Sequence, residues 1–212
     1  MAPKMIVAVG FAALALTACA GKVDYTPPTI SPSEANSKTV DQPKEAVWKS
    51  LIPALGQKFF VINNLDKASG LINISYSGDP ELYVDCGTIT SYVKNARGER
   101  TYTFPAAQAN QVYEVLTDRY YQIDRRMTLE GRMNLIVQEV SARQTKVTAN
   151  TRYVLTRTQT ILAAGAPAPV TLTHSINLNT GQTGSFPANA DGGATTCAPN
   201  GKFEAAVLEL VQ

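Results

Sequence analysis

Residues 126–157 read RMTLEGRMNLIVQEVSARQTKVTANTRYVLTR, and this stretch decides the fold class. Apolar and polar residues alternate along both halves, which is the pattern of a β-strand with one buried and one wet face. The alternation breaks over the polar residues 141–146 and then resumes. One face carries Met127, Leu129, Met133, Leu135 and Val137 before the break, and Val147, Ala149, Thr151, Tyr153 and Leu155 after it. The stretch therefore predicts a long antiparallel β-hairpin.

Helical patterns lie towards both ends of the chain. Residues 43–57 and 201–211 each place apolar residues on one helical stripe. Strand-like runs lie between them, at 59–62, 71–77, 82–94, 101–104 and 170–178, whereas 179–201 is predicted as a long loop with a short strand at Ser185-Phe186. A sheet with one apolar face and two amphipathic helices predicts an α+β domain. We expect a single antiparallel β-sheet with an N-terminal and a C-terminal helix packed on one face, as in a helix grip.

The composition excludes several classes of protein. Lys and Arg total 19 against 17 Asp and Glu in 212 residues, so the net charge of +2 gives no strong field for nucleic acid. One His and three Cys leave few residues for metal or nucleophilic chemistry. Hydrophobic residues make up 44%, which is enough for a packed core. We expect no nucleic-acid partner, no metal site and no cofactor.

The first 18 residues have the features of a signal peptide. Lys4 is a short basic region, and residues 5–18 form an apolar run. At ~1.5 Å per residue this run would cover roughly 21 Å as a helix, less than the ~30 Å hydrocarbon core of a bilayer. The pattern therefore favours a signal peptide over a transmembrane helix.

The apolar run ends in Leu16-Thr17-Ala18-Cys19, which resembles the lipobox of bacterial lipoproteins. The resemblance implies cleavage before Cys19, diacylation of its thiol and acylation of the new amino terminus. Ala20 follows, not Asp, and by resemblance to enterobacterial sorting rules this implies transfer to the outer membrane, facing the periplasm. The alternative is an ordinary secretory signal followed by an unmodified cysteine.

Residues 19–42 are predicted to be the lipidated cysteine and a flexible tether. Pro27, Pro28 and Pro32, together with several Ser, Thr and Asn residues, interrupt any regular pattern. As a coil the tether would span roughly 25–30 Å. Alternatively, part of it packs on the domain as an irregular arm, with Val40 as the expected contact. The globular domain would then occupy residues 43–212.

The cysteine count predicts one disulfide. If Cys19 carries lipid, Cys86 and Cys197 remain, and an even remainder in an oxidising compartment is typical of a disulfide. Neither lies in a CxxC motif, so a redox motif or zinc knuckle is not expected. Two free buried thiols, or a reactive Cys86, are the alternatives.

A second resemblance concerns the start of the predicted domain. The pattern Val47-Trp48-Lys49, Gly56, Phe60-Val61-Ile62, Gly70-Leu71-Ile72-Asn73-Ile74 and Tyr76 resembles the opening of BamC-like lipoprotein domains. Those domains share an N-terminal helix, a hairpin and a closing helix packed on the sheet. The resemblance implies this fold and an envelope location.

Few residues suggest chemistry. His174, the single imidazole, falls on an apolar strand face and is predicted to be a hydrogen-bonded core residue, with a catalytic role as the alternative. The acids of residues 78–85 match no calcium-loop spacing and are predicted to lie in a solvated turn. A mixture of aromatic and basic residues predicts an interaction surface, for which we select Tyr120, Tyr121, Arg125 and Arg126. The alternative is a solvated strand end that covers the core.

These observations lead to three functional hypotheses. The first is a non-catalytic lipoprotein, anchored in the outer membrane through Cys19, that docks on an envelope protein. The second is a periplasmic binder of a small apolar ligand, because a curved sheet gripping a helix can open a cavity. The third is an enzyme based on His174, but no GxSxG, HExxH or Walker motif accompanies it. We therefore expect no catalytic activity.

Overall fold

The computed structural model describes residues 19–29, 36–58, 60–189 and 193–212. Within these ranges the chain forms thirteen strands, two α-helices and a 3₁₀ turn at Pro80–Leu82. The elements before the long hairpin are β1 (Ala20–Thr26), β2 (Ser37–Val40), α1 (Lys44–Gly56), β3 (Val61–Asp66), β4 (Leu71–Gly78), β5 (Val84–Asp85), β6 (Thr88–Asn95), β7 (Gly98–Pro105) and β8 (Asn110–Leu116). The others are β9 (Tyr120–Ser141), β10 (Gln144–Ala163), β11 (Val170–Asn179), β12 (Gly184–Phe186), β13 (Thr195–Pro199) and α2 (Lys202–Leu208).

The predicted hairpin is confirmed and is longer than the pattern indicated. β9 and β10 pair antiparallel along their whole length, from Tyr121 opposite Ala163 to Ser141 opposite Gln144. Odd-numbered side chains are buried from Ile123 through Val137 and from Thr145 through Ile161, as a period of two requires. The opposite face is wet and carries cross-strand polar pairs, such as the 2.6 Å amide hydrogen bond from Asn73 to Asn134.

Different strands flank the two ends of this hairpin. Near the start of β9 and the end of β10 the neighbours are β8 and β11. Near the connecting turn they are β4, which in turn pairs with β3, and the short strand β2. Together these form a seven-stranded sheet. Two three-stranded sheets complete the described part of the chain, in the orders β1-β6-β7 and β12-β13-β5.

The predicted single-sheet α+β fold is wrong. Of the residues that the structure describes, 60% lie in strands and 12% in helices, and the strands form three sheets, so the fold is mostly β. The added strands β1, β2 and β13 lie in segments that the sequence predicted to be the tether and the long loop, whereas β12 contains the short strand predicted at Ser185-Phe186. These strands are short, with three to seven residues each. They are stabilised by pairing with neighbouring strands, which local sequence patterns do not report.

Both helices pack against the hairpin. α1 buries Val47, Trp48, Leu51 and Leu55 and contacts β3, β9 and β10. Pro53 lies inside α1 without ending it, and its side chain is exposed. α2 contacts β10 and is shorter than the predicted helix over 201–211. Within the described residues, no helix combines the length and the apolar character needed to cross a bilayer.

The predicted disulfide is confirmed. Cys86 follows β5, and Cys197 lies in β13, which pairs with β5. Both half-cystines are fully buried within the hydrophobic core. The bond closes a loop across 111 positions and joins the middle of the chain to its last strand.

Candidate functional site

Cys19 lies directly beside the folded body. Its thiol is free and exposed, and the next residue, Ala20, begins β1. Residues 20–26 and 37–40, which were assigned to the tether, pair with β6 and β10 respectively. These two segments pack on the domain, which agrees with the alternative of an arm that contacts the core through Val40. The signal peptide at 1–18 and the tether residues 30–35 lie outside the described residues.

Tyr25 fixes β1 to the disulfide region. Its hydroxyl lies 3.1 Å from the carbonyl oxygen of Cys86 and 2.9 Å from that of Thr196, and it accepts a hydrogen bond from the Thr196 amide at 2.9 Å. Burial raises the pKa of Tyr25, so its hydroxyl stays protonated and can donate. Val23 and Tyr25 also pack against the core. These contacts explain why a segment with no strong strand pattern is ordered.

Gly21 marks a close approach between β1 and β8. A Cβ atom at this position would lie 2.0 Å from the carbonyl oxygen of Leu116. Leu116 ends β8 and pairs with Tyr120 at the start of β9. The chain next to Cys19 therefore lies at the end of the molecule where β9 begins and β10 finishes.

Three connections meet at this end, which we call the anchor end. It comprises Cys19, the β6–β7 turn at 94–99, the β8–β9 turn at 117–119 and the segment 163–170. A cleft of about 510 Å³ at this end is lined by Asn95, Arg97, Tyr120, Gln122 and residues 162–166. Desolvation in this half-buried position raises the pKa of Tyr120. Tyr120 is thus the one predicted interaction residue that lines the cleft.

Most charges at the anchor end are paired. Arg100 donates to Glu114 at 2.5 Å, Lys94 pairs with Glu99, and Arg119 lies 3.6 Å from Asp118. In the part of the chain that the structure describes, Arg97 forms no ion pair. The cleft therefore presents one guanidinium that can bind an anion.

None of the other three predicted interaction residues lines the cleft, although Arg126 lies on the same face of β9 as Tyr120. Tyr121 donates its hydroxyl proton to Asp118 at 3.1 Å. Arg126 is exposed and pairs with Asp124 at 3.3 Å. Arg125 is fully buried, because adjacent residues of a strand point to opposite faces. The alternation itself indicates that Arg125 is buried, since Arg125 has the same parity as Met127 and Leu129.

Arg125 belongs to a buried polar cluster that sequence analysis missed. Arg157 and Gln159 are also fully buried, and Gln159 lies opposite Arg125 in the hairpin. The Arg157 guanidinium lies 4.8 Å from the centre of the Phe186 ring and donates to the Pro187 carbonyl oxygen at 2.8 Å. A buried strand face is expected to be apolar, so the sequence pattern did not predict that these polar residues are buried.

The remaining candidate residues show no assembled catalytic group. His174 is half-buried on β11 opposite Arg157, and its Nδ1 atom has no hydrogen-bond partner among the described residues. Asp79 and Asp85 accept backbone hydrogen bonds from Glu81 and Gly87. These carboxylates thus stabilise turns, and over the described ranges no group of acids, His and Cys could hold a metal ion.

A second cavity, the aromatic groove, lies between α2, β4 and the 3₁₀ turn. It has a volume of about 510 Å³ and is lined by Lys58, Phe60, Tyr76, Ser77, Leu82, Tyr83, Ala206, Glu209 and Leu210. The Tyr83 ring packs edge-on against Tyr76 and lies 4.8 Å from Phe203 between ring centres. The groove is predominantly apolar and opens to solvent beside Leu82, which is 52% exposed.

Comparison with known proteins gave no match: no family model, no curated protein and no solved structure is similar to this chain. The resemblance to lipoproteins therefore stays a prediction, whereas the single-sheet fold that the BamC-like resemblance implied is wrong. The anchor end and the aromatic groove are the two candidate functional sites.

Proposed function

We propose that this protein is a non-catalytic lipoprotein of the bacterial outer membrane. In this proposal Cys19 carries the lipid, residues 1–18 are a cleaved signal peptide, and the folded body faces the periplasm. There it acts as an interaction module for another protein of the envelope. Two or more acyl chains on Cys19 would hold it stably at the bilayer.

One observation carries the proposal. Cys19 is exposed with a free thiol, while the two other cysteines of the chain are joined in a buried disulfide. A disulfide is typical of exported proteins, because cytosolic thiols are kept reduced. An exposed thiol at the end of an apolar run is then the residue that a lipid-attaching system would modify.

Metabolic labelling with palmitate tests the anchor. We expect label on the wild-type protein and none on the Cys19→Ser variant, whose precursor would also keep residues 1–18. Ala20→Asp is the matched control, because it leaves Cys19 in place and tests sorting alone. An unlabelled wild type, or equal labelling of Cys19→Ser, would contradict the proposal.

The interaction role is tested by crosslinking in intact cells. We expect a photocrosslinker at an exposed body position, such as Arg126 on the wet face, to capture a defined envelope protein. A second crosslinker at Thr128, on the same face as Arg126, should capture the same protein. The buried Arg125 position is not used, because a crosslinker there would disrupt the core. Failure to capture any protein from several exposed positions would argue against an interaction module.

The aromatic groove supports a second candidate function, the binding of a small apolar ligand. Its volume falls within the ~300–1,000 Å³ of ordinary ligand pockets, and aromatic and aliphatic side chains form its walls. We expect the fluorescent probe N-phenyl-1-naphthylamine to bind with saturation. Ala206→Trp, which fills the groove, should abolish binding, whereas Ala168→Trp, outside the groove, should not. Unsaturable binding, or equal binding by both variants, would dismiss this function.

A further inference from the structure

We propose that the anchor end of the folded body lies against the phospholipid surface, with the segment 163–170 in the membrane interface and Arg97 in contact with lipid phosphate groups. This inference rests on the lipid anchor proposed above. It adds a second membrane contact, made by the folded body itself, and thereby an orientation of the protein on the bilayer.

The segment 163–170, which we call the apolar turn, has an unusual composition for an exposed turn. It reads AAGAPAPV and contains no polar side chain. All its residues are exposed except Ala163, which is half-buried. Surface turns ordinarily carry Gly, Pro, Asn, Asp and Ser, and this turn contains only the apolar members of that set, Gly and Pro, beside Ala and Val. Leu162, just before the turn, is 41% exposed, and Val170, its last residue, is 60% exposed. The apolar surface therefore includes larger side chains at both ends of the turn.

The backbone of the apolar turn is suited to an environment with little water. The Ala164 amide donates to the Tyr120 carbonyl at 2.8 Å, and the Ala166 amide donates to the Ala163 carbonyl at 3.0 Å. Gly165 has a φ of +79°, a conformation that glycine adopts without strain. Two donors are thus satisfied inside the protein, which lowers the cost of moving the turn into the interface.

The apolar turn lies at the same end as Cys19. The contact of Gly21 with Leu116 places β1 beside the end of β8, Leu116 pairs with Tyr120, and Tyr120 bonds Ala164. Gly21 is two residues from Cys19, or about 7 Å of extended chain. Residues 5–18, just before Cys19, are the apolar run. A lipid on Cys19 would therefore bring the membrane to this end of the body.

The cleft at the anchor end suits a phospholipid headgroup. Arg97 is exposed beside the half-buried ring of Tyr120. A guanidinium binds the oxygens of a phosphate diester in a bidentate manner, and tyrosine is favoured at membrane interfaces because its ring is amphipathic. Glu99 neutralises the charge of Lys94, and Asp118 neutralises that of Arg119. Arg97 is therefore the residue that would bind the phosphate.

Depth-dependent fluorescence quenching tests the inference on the acylated full-length protein. An environment-sensitive dye is attached to Ala166→Cys in vesicles of phosphatidylethanolamine and phosphatidylglycerol that contain spin-labelled lipids. The matched control is Ala68→Cys in the exposed turn between β3 and β4, at the other end of the hairpin. We expect quenching of the dye at 166 to be at least twofold greater than at 68.

The outcomes separate this inference from the proposed function. If the protein is acylated and neither dye is quenched, the docking is overturned while the anchor stands. If no acylation occurs, the proposed function fails. To test the headgroup contact, Arg97→Gln is added to the Ala166→Cys protein, with Arg143→Gln, in the exposed turn between β9 and β10, as the control. We expect only Arg97→Gln to reduce quenching, by about half; equal quenching in both variants would overturn the role of Arg97.

Discussion

Glu204 is a buried carboxylate held by two hydroxyl groups. The Tyr153 hydroxyl donates to Oε2 and the Thr180 hydroxyl to Oε1, each at 2.7 Å, and the residue is 2% exposed. Burial raises the pKa of Tyr153 well above its usual range, so this phenol remains a donor. The carboxylate thus joins α2 to β10 and to the end of β11.

Removing one of these donors should destabilise the protein. We expect Tyr153→Phe to lower the free energy of unfolding by about 1–3 kcal/mol, because a buried carboxylate oxygen loses its partner. Urea unfolding measures the change. The matched control is Tyr121→Phe, whose hydroxyl bonds the exposed Asp118 and whose loss should cost less than about 0.5 kcal/mol. Equal effects of the two changes would contradict the role of the buried carboxylate.

Asp66 gives a pH-dependent contribution at the β3–β4 turn. Its carboxylate accepts hydrogen bonds from the Ser69 hydroxyl at 2.7 Å, the Ser69 amide at 3.2 Å and the Ala68 amide at 3.0 Å. The bonds from Ser69, above all, lower the pKa of Asp66. A depressed pKa means that the stabilisation is present above the unfolded-state pKa and is lost as the pH falls through the folded-state pKa.

We therefore expect the Asp66 carboxyl to titrate with a midpoint below 3.8, its ordinary value, when followed by NMR. In Ser69→Ala the midpoint should move back towards that value. A midpoint for Asp66 at or above 3.8 would be incompatible with this hydrogen-bonded turn.

The disulfide should account for a large part of the stability. It closes a loop across 111 positions, for which the chain-entropy model gives about 4–5 kcal/mol as an upper figure. We expect the double variant Cys86→Ser, Cys197→Ser to lose about 3–5 kcal/mol in urea unfolding. Wild-type protein unfolded under reducing conditions is the control and should lose a similar amount. A loss below about 1 kcal/mol would show that the core alone holds these strands.

At the scale of elements, β1 depends on the absence of a side chain at Gly21. A Cβ there would meet the backbone of Leu116, which cannot rotate away. Overpacking of this kind costs about 1–3 kcal/mol, so Gly21→Ala should increase local opening of β1 by roughly tenfold to a hundredfold. Trypsin cleavage after Lys22, within β1, measures that opening.

Gly56→Ala is the matched control for this experiment. No atom lies within 4 Å of the Cβ position at Gly56, which ends α1, so this change should leave cleavage at Lys22 unaltered. If Gly21→Ala is cleaved no faster than the wild type, β1 does not depend on its contact with β8.

The sequence predicts long elements well and short ones poorly. The alternation from Met127 to Leu155 continues for so many residues that one register alone buries an apolar face. β2 and β13 have four and five residues, and their order comes from the strands beside them. α1 was identifiable because its apolar stripe extends over three turns.

The candidate site was predictable only in part. Cys19 was identified from local context, and the disulfide from counting cysteines. The anchor end was not predictable, because Arg97, Tyr120 and the apolar turn are distant in sequence and meet only through strand pairing. The buried Arg125 was misassigned for a related reason: the type of residue suggested a surface, and its position in the alternation indicated the core.

At the scale of the whole molecule, the direct connection of Cys19 to β1 predicts a body held close to the bilayer. Neutron reflectometry on supported bilayers should show protein density beginning at the headgroups, with no solvent gap. The long axis of β9, 22 residues at ~3.3 Å, limits the layer to about 70 Å.

As a comparison, twelve Gly and Ser residues inserted after Ala20, combined with Val170→Glu, should release the body. Such a linker has an end-to-end distance of roughly 20 Å, so the density should move outward by a similar amount. A wild-type layer separated from the headgroups as far as that of the linker variant would contradict the close attachment, because only a flexible connection allows such a gap.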